Sequence, residues 1–458
     1  MAMISYKKYK KAIRIINKLL HYGFDTYIVG GFVRDYIMDK VSYDIDICTK
    51  ATPDELMIIF PQTKYGFGTS FKVSIIDGFE VATFRKDKYY NDGNSKNCVI
   101  TYADTIEEDL SRRDFTMNAI AMDIFNKIYI DPFNGINDIK NKIIRFVGNP
   151  KDRIEEDFNR IVRGIRICAK IEGTIEDKSL EAMKIKSNTE LKTFVNMVPT
   201  NRLMLEIKKT METCKKASIF FRLIKEVGLH SIILPSLYEG IKVDGGRYHN
   251  ETIFDHCMYT GDHISIKRPL TKLAGYLHDI GKPMSIEIDK EGNVSFKGHE
   301  KIGSELTAID LNNLTFSNRD IEIISKLVRY HMRPMESPKS IRRILSAFKE
   351  HNLCWIDYMR IKIADRHGNT RKPDFESKEI RTRINRFVNE TLKEIPLDIK
   401  RLKVDGHDVM TIYNIKPSKA VGLILISLFE KVTNEEIQNE RELLITFMKN
   451  DALKKETN

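Results

Sequence analysis

Apolar positions near the start of the chain, Ala12, Ile13, Ile15, Ile16, Leu19 and Leu20, recur among lysines at roughly helical spacing and predict a helix ending near Gly23. The run Thr26 to Val29 reads as a short strand entering Gly30-Gly31, and another helix begins near Val33. Ile45 to Cys48 reads as a second strand. Thr52-Pro53-Asp54-Glu55 offers a capping hydroxyl, a proline and first-turn acids, which together open a helix. Strands are expected at Ser70 to Ile76 and Glu80 to Phe84, joined as a hairpin by the compact Asp77-Gly78 turn. Residues 115–130 hold a helix start and a further strand before a break at Asp131-Pro132-Phe133-Asn134-Gly135.

From Arg153 the period changes. Ile154, Phe158, Ile161, Ile165 and Ile167 form a helical stripe that continues at Leu203 to Lys209 and Ile219 to Val227. Tyr238 to Asn250, rich in glycine and charge, is expected to be a linker, with helical blocks at about 251–370 and 380–452 beyond it. The fold class expected is α+β, a small mixed head followed by a long all-helical body.

Length and composition bound this picture. The 458 residues give a prior of about three domains, and 42% hydrophobic with 30% charged residues describes a globular chain, not a disordered one. The longest apolar run, Val421 to Phe429, is far too short to cross a bilayer, so no membrane association is expected. Six scattered cysteines without a CxxC pair argue against a disulfide scaffold or a Cys-rich zinc module, and fit a reducing cytoplasm. Met1 to Leu20 has no continuous apolar segment before a small-residue cleavage site, so a signal peptide is not expected. The 75 Lys and Arg exceed the 64 Asp and Glu by 11, which favours a polyanionic partner if the basic charge is segregated.

Candidate chemistry begins at Gly30-Gly31-Phe32-Val33-Arg34-Asp35, followed by Asp44-Ile45-Asp46. Glycines between strand and helix let backbone N–H groups approach phosphate oxygens, although Gly-Gly alone is equally a tight turn. Asp44 and Asp46, two apart on a strand, point to one face, where they repel unless a cation compensates them. Mg²⁺ suits such a pair, because it takes oxygen ligands and shares them with substrate phosphates; an exposed loop pair is the alternative. Glu80 adds a third carboxylate if its strand lies beside theirs, with Asp77 a second choice. Three acids can hold two Mg²⁺ ions, one activating an attacking hydroxyl and the other steadying a triphosphate.

These residues carry a family resemblance. The chain resembles the class II, bacterial-type tRNA nucleotidyltransferases, the CCA-adding enzymes of the nucleotidyltransferase and poly(A) polymerase family. Gly30 to Asp35 with Asp44-Ile45-Asp46 matches their first motif, and Arg112-Arg113-Asp114-Phe115-Thr116-Met117-Asn118-Ala119 the next. Arg145-Phe146-Val147-Gly148 and Glu156-Asp157-Phe158-Asn159-Arg160 follow in family order. The resemblance implies a polymerase-beta-like nucleotidyltransferase head on an elongated helical body. It implies template-independent addition of CMP, CMP and AMP to the 3′ end of tRNA from CTP and ATP.

It also implies that Gly30, Gly31, Arg34, Arg112, Asp114 and Asn118 position the nucleotide, while Asp157 and Arg160 select its base. Asp114 and Asn118, four apart at a helix start, can meet on one face. Asp157 and Arg160 are read as lying three apart on one helix, offering acceptors and a guanidinium fork to a base edge, or forming an ordinary surface pair. Arg163 and Arg166 continue the basic side of that helix toward triphosphate or tRNA. Arg202 and Glu206 read as an i,i+4 pair. Arg85-Lys86-Asp87-Lys88-Tyr89-Tyr90-Asn91-Asp92-Gly93 resembles the flexible loop of CCA- and A-adding enzymes, with Arg85, Asp87, Tyr89 and Asp92 its candidate residues.

Six of the eleven histidines fall between His249 and His331. The order His256, His278-Asp279, His299, His331 and Asp365 resembles an HD-domain metal site, with His299 and His331 matching the extra ligands of two-metal members. Imidazoles with carboxylates favour Ni²⁺, Mn²⁺, Co²⁺ or Zn²⁺, and the resemblance implies a second, phosphohydrolase activity on 2′,3′-cyclic phosphates or phosphomonoesters. The domains expected are a head over 1–148, a neck over 149–240, an HD-type domain over 241–375 and a C-terminal tRNA-binding region over 376–458. The tRNA acceptor stem is expected to be held by its backbone through Lys and Arg. The rival readings are an A-adding enzyme or poly(A) polymerase, and a metal-stabilised RNA-binding protein without transfer activity.

Overall fold

The computed structural model describes residues 6–40, 44–65, 73–89, 98–246, 250–334, 337–371, 381–382, 385–386, 388–389, 399–433 and 436–456. The chain forms two compact units, the first over 1–235 with 313–315, the second over the remainder.

The first unit opens with α1 (Tyr6–His21), whose Ala12, Ile15, Ile16 and Leu19 are buried as the helical spacing predicts. Strand β1 (Thr26–Val29) leads into α2 (Gly31–Ile37), and β2 (Asp46–Thr49) into α3 (Pro53–Ile59). Thr52 and Glu55 close a capping box around Pro53, satisfying N-terminal N–H groups of α3. Then come β3 (Lys64–Tyr65), β4 (Ser74–Ile76) and β5 (Phe79–Thr83). Asp77 and Gly78 adopt φ 50° and 84°, the two positive angles of a two-residue hairpin turn. Next are β6 (Arg85–Tyr89), β7 (Cys98–Tyr102), α4 (Ile106–Ser111), β8 (Ala121–Asp123) and β9 (Ile128–Ile130).

Seven of these strands form one sheet in the order β3-β4-β5-β2-β1-β8-β9. β2 lies antiparallel to β1, with Val29 opposite Asp46, and parallel to β5, with Ile47 opposite Val81. Val29, Cys48, Phe84, Leu110, Ala121 and Val147 belong to a core that fixes this register. Shifting β2 by one residue would turn Cys48 out of this core to the other face of the sheet.

The remainder of the unit is helical: α5 (Gly135–Asn141), α6 (Pro150–Glu156), α7 (Asn159–Ile171), α8 (Asp177–Met183), α9 (Asn188–Met197), α10 (Thr200–Thr213) and α11 (Ser218–Glu226), with a small parallel pairing of β10 (Ile143–Ile144) and β11 (Thr174–Ile175). The stripe beginning at Ile154 is not one helix. α6 ends at Glu156, and Asp157 is extended at φ −157° and ψ 102° before α7 begins.

In the second unit, α12 (Pro235–Tyr238) and a 3₁₀ turn at Glu239–Lys242 occupy part of the stretch expected to be a linker. Ile253 N–H there donates to the Val243 carbonyl, so this backbone is tied down. α13 (Ile253–Asp262), α14 (Pro269–Leu277), α15 (His299–Asn313), α16 (Asn318–Tyr330), α17 (Pro338–Glu350) and α18 (Trp355–Gly368) follow. A short hairpin of β12 (Glu287–Ile288) and β13 (Val294–Ser295) interrupts this helical block. Helices at Gly406–Tyr413, Lys419–Thr433 and Arg441–Glu456 share a core that includes Val409, Leu428, Leu444 and Met448. Asp405 caps the first of these by accepting from the N–H groups of His407 and Asp408.

Candidate functional site

The sheet sets the head's acids around the turn after β1. Gly30 has φ 74°, and a Cβ there would lie 3.3 Å from an Arg113 guanidinium nitrogen and 3.4 Å from Asp46 Oδ2. Glycine therefore keeps this turn unstrained and leaves space beside Asp46. The parallel register with β5 sets Asp46 level with Glu80 on the neighbouring strand. Burial, then the charges of Asp44 and Glu80, push the Asp46 carboxyl up to about 6, against the opposing pull of Arg113 and Arg163. Asp44 is 86% exposed and turns to Lys8 Nζ at 3.5 Å. Among the described residues, every set of three or more ligand atoms within 4.8 Å of one another lies in the second unit. Asp44, Asp46 and Glu80 thus share an electrostatic field without closing into a three-carboxylate cage.

Behind these acids lies a residue that the sequence did not single out. Asp109, its side chain fully buried, accepts from two guanidinia at once. Its Oδ1 takes Arg112 at 3.0 and 2.7 Å, and its Oδ2 takes Arg113 at 3.3 and 2.9 Å. Burial opposes ionisation of Asp109, but the two arginines hold its carboxyl below the usual range. Arg112, the residue nominated from sequence, also reaches Asp87 at 3.2 Å, and Arg113 is the one beside Gly30 and Asp46.

Arg34 donates to Asp35 at 2.9 and 2.8 Å and to Asn118 at 2.8 Å, so its guanidinium is engaged inside the head. Asn118 and Asp114 meet at 3.1 Å, across a 3₁₀ turn and not an α-helical start. Arg163 closes on Asp114 at 2.7 Å.

The base-selecting candidates are partnered differently from the expectation. The backbone break at Asp157 takes it off the helix of Arg160. Asp157 is gripped by both guanidinium nitrogens of Arg202 at 2.9 and 2.7 Å, while Arg160 pairs with Glu156 and reaches the Arg112 carbonyl at 3.4 Å. Glu206, expected to pair with Arg202, is taken by Arg166. Both exchanges follow from α10 packing along α7, which offers partners some 40 residues away in sequence.

Arg85 to Tyr89, expected to begin a mobile loop, form strand β6, paired with β7 from Arg85 opposite Tyr102 to Tyr89 opposite Cys98. Asp87 is buried between Arg85 at 3.0 Å and Arg112. Asp92 lies outside the described residues.

The second unit brings all six HD candidates together. His256 sits in α13, His278-Asp279 at the end of α14, His299 at the start of α15, His331 just after α16, and Asp365 in α18. Gly281 is required here: a Cβ would come within 2.1 Å of the His299 carbonyl, so glycine lets the turn after Asp279 lie against α15. His256, His278 and Asp365 form one ligand group, and Asp279, His299 and His331 another. His256 Nε2 lies 3.0 Å from Asp365 and 3.2 Å from His278 Nε2, and His299 and His331 Nε2 lie 3.3 Å apart.

Asp279 joins the two groups. Its Oδ1 is 3.2 and 3.4 Å from His299 and His331, and its Oδ2 is 3.3 Å from His278 and 2.6 Å from Lys282 Nζ. Burial disfavours its charge, yet His278 and Lys282 hold the carboxyl well below its usual range. Burial lowers His256, but hydrogen bonds to Asp365 and Glu251 hold it at about 9. Each group offers converging imidazole nitrogens and a carboxylate, the kind of donor set that could hold a metal ion. A cavity of about 720 Å³ adjoins the cluster, lined by Lys282, Ile288, Phe296, Lys297 and Met332.

Residues 26–145 match the Poly A polymerase head domain, and residues 248–367 match the HD domain.

The CCA-adding enzyme of Staphylococcus epidermidis is 39% identical over 209 residues, 45% of this chain and 50% of that protein. The CCA-adding enzyme of a Geobacillus species is 39% identical over 232 residues, 50% of this chain and 55% of that protein. The chain spans about half the length of the curated relatives it matches. The crystal structure of the Bacillus stearothermophilus CCA-adding enzyme in complex with CTP superposes with a TM-score of 0.70 at 22% identity, covering 98% of this chain and 99% of that one, so the fold is shared.

The range matched to the Poly A polymerase head domain contains Asp44, Asp46, Glu80, Asp109 and Arg113; Asp157 and Arg202 lie beyond it. The range matched to the HD domain contains all six candidate ligands, together with Glu251 and Lys282, which the sequence reading missed. No helix among the described residues is long and apolar enough to cross a membrane.

Proposed function

We propose that the protein completes the 3′ end of tRNA by successive transfer of CMP, CMP and AMP from CTP and ATP, releasing pyrophosphate and using no nucleic-acid template. The observation that carries this reading is the Asp46 carboxylate beside the Gly30 turn, charge-coupled to Asp44 and Glu80 and faced by Arg113. Asp44 and Asp46 are the residues that would hold Mg²⁺, which when bound offsets triphosphate charge and acidifies the attacking hydroxyl. Glu80, exposed on β5, assists the ribose hydroxyl. The Gly30-Gly31 backbone approaches the triphosphate, and Arg113, held by Asp109, adds a fixed positive charge. Arg112, Asp114 and Asn118 buttress the nucleotide site from behind.

Base choice falls to Asp157 and Arg160, held by Arg202 and Glu156 respectively. The acceptor stem is gripped through its backbone by the basic helices. The HD domain hydrolyses phosphoesters, its six ligands holding Ni²⁺, Mn²⁺, Co²⁺ or Zn²⁺, which when bound activates water. The working divisions are 1–148, 149–240, 241–375 and 376–458, in a cytoplasmic enzyme.

The test is incubation of the purified protein with tRNA lacking CCA, and separately with tRNA ending in CC, with CTP and ATP. Addition of all three nucleotides to the first substrate supports the proposal. Extension of the second substrate alone assigns an A-adding enzyme, a long adenylate tail assigns a poly(A) polymerase, and no extension of either leaves an RNA-binding protein. Asp46→Ala abolishes transfer and retains tRNA binding.

A further inference from the structure

Three of the four clustered histidines share one anchoring pattern. His278, His299 and His331 place Nδ1 2.8, 2.7 and 2.7 Å from the carbonyls of Gly275, Phe296 and Val328, each three residues earlier. A carbonyl only accepts, so Nδ1 carries the proton and Nε2 presents its lone pair to the cluster. His256 is anchored differently. Its Nδ1 lies 3.2 Å from Glu251 Oε1, with the Gly368 carbonyl at 3.4 Å. The Glu251 side chain is 6% exposed, and its Oε2 accepts from the Thr370 hydroxyl and, at 3.2 Å, from the Asn250 backbone N–H. A buried carboxylate fixed at three points is a stronger acceptor than a backbone carbonyl, and the electron density it lends the ring makes Nε2 a better donor to a metal.

We infer that Glu251 is a positioning residue for the metal held by His256, His278 and Asp365, and that it makes this position bind more tightly than the one formed by Asp279, His299 and His331. The inference rests on the reading of the six-residue cluster as a two-metal site. Partners that orient a ligating histidine are worth about 10–100-fold in metal affinity. Glu251→Gln keeps the shape and the hydrogen-bond reach but removes the charge, so the loss falls on one ion alone.

The test is titration of the full-length protein with Co²⁺, followed by visible absorption and by elemental analysis after dialysis, in an Asp46→Ala background that weakens the head's acids as a competing site. The parent takes up two Co²⁺ in distinguishable steps, and Glu251→Gln weakens the tighter step about 10–100-fold while leaving the other within about twofold. In a His331→Ala protein, where the first position is the one left intact, adding Glu251→Gln weakens the remaining step by the same factor. Superimposable titrations of parent and Glu251→Gln, or equal weakening of both steps, overturn the inference and leave the two-metal reading standing. Failure of the parent to take up Co²⁺ overturns both.

Discussion

Asp46→Asn should stabilise the head while abolishing transfer. Burial and the neighbouring charges of Asp44 and Glu80 raise the Asp46 carboxyl from its ordinary 3.8 up to about 6. At ~1.36 kcal/mol per pH unit, ionising it within the fold costs up to about 3 kcal/mol relative to the unfolded chain, and the partial exposure of the site reduces this to about 2–3. The sign follows from the direction of the shift. Below pH 3.8 the group is protonated in both states and costs nothing. The penalty grows as pH rises between the two values and is complete above about pH 6. Asparagine keeps the shape and removes the charge, so its benefit is largest at pH 7–8 and disappears near pH 4. For a unit of this size it corresponds to a rise of roughly 4–12 °C in melting temperature.

The assay is thermal unfolding followed by circular dichroism from pH 4 to 8 in EDTA, with transfer measured on the same preparations. A variant no more stable than the parent at pH 8 would refute the reasoning. A gain that persists undiminished at pH 4 would do so as well, since a packing effect does not titrate.

Other expectations concern groups held by long-range contacts. Asp109→Asn removes a fully buried counter-charge from Arg113 and leaves Arg112 with Asp87 alone, which should cost about 3–5 kcal/mol and raise KM for both nucleotides as Arg113 loses its anchor; a drop in kcat at unchanged KM and melting temperature would contradict that role. Arg202→Lys replaces a fork that grips both Asp157 oxygens with a single ammonium, and should blur CTP/ATP discrimination about 5–30-fold in incorporation assays while transfer persists. Asp279→Asn should strip most metal from the HD domain, read by elemental analysis, and leave nucleotidyl transfer intact; full metal retention would remove Asp279 from the bridging position.

Local chemistry determined much of this protein in advance. Thr52, Pro53 and Glu55 open a helix because a capping box needs only residues within one turn, and Asp77-Gly78 forms a hairpin because two positive φ angles suffice. That the six HD candidates belong together was legible from residue type and order, since a metal cluster needs such donors wherever the helices begin and end. Tertiary structure decided the partnerships. Whether Arg112 or Arg113 faces the Gly30 turn depends on how the buried Asp109 divides its two oxygens between them. Arg202 rather than Arg160 holds Asp157, because the chain leaves the helix at Asp157 and Phe158 and the helix carrying Arg202, 45 positions on, packs along the one that follows. Glu251 and His256 are near in sequence, yet the carboxylate is fixed by Thr370 from the far end of the domain. Side-chain direction follows from packing against distant elements, and short-range periodicity carries no record of which distant element that will be.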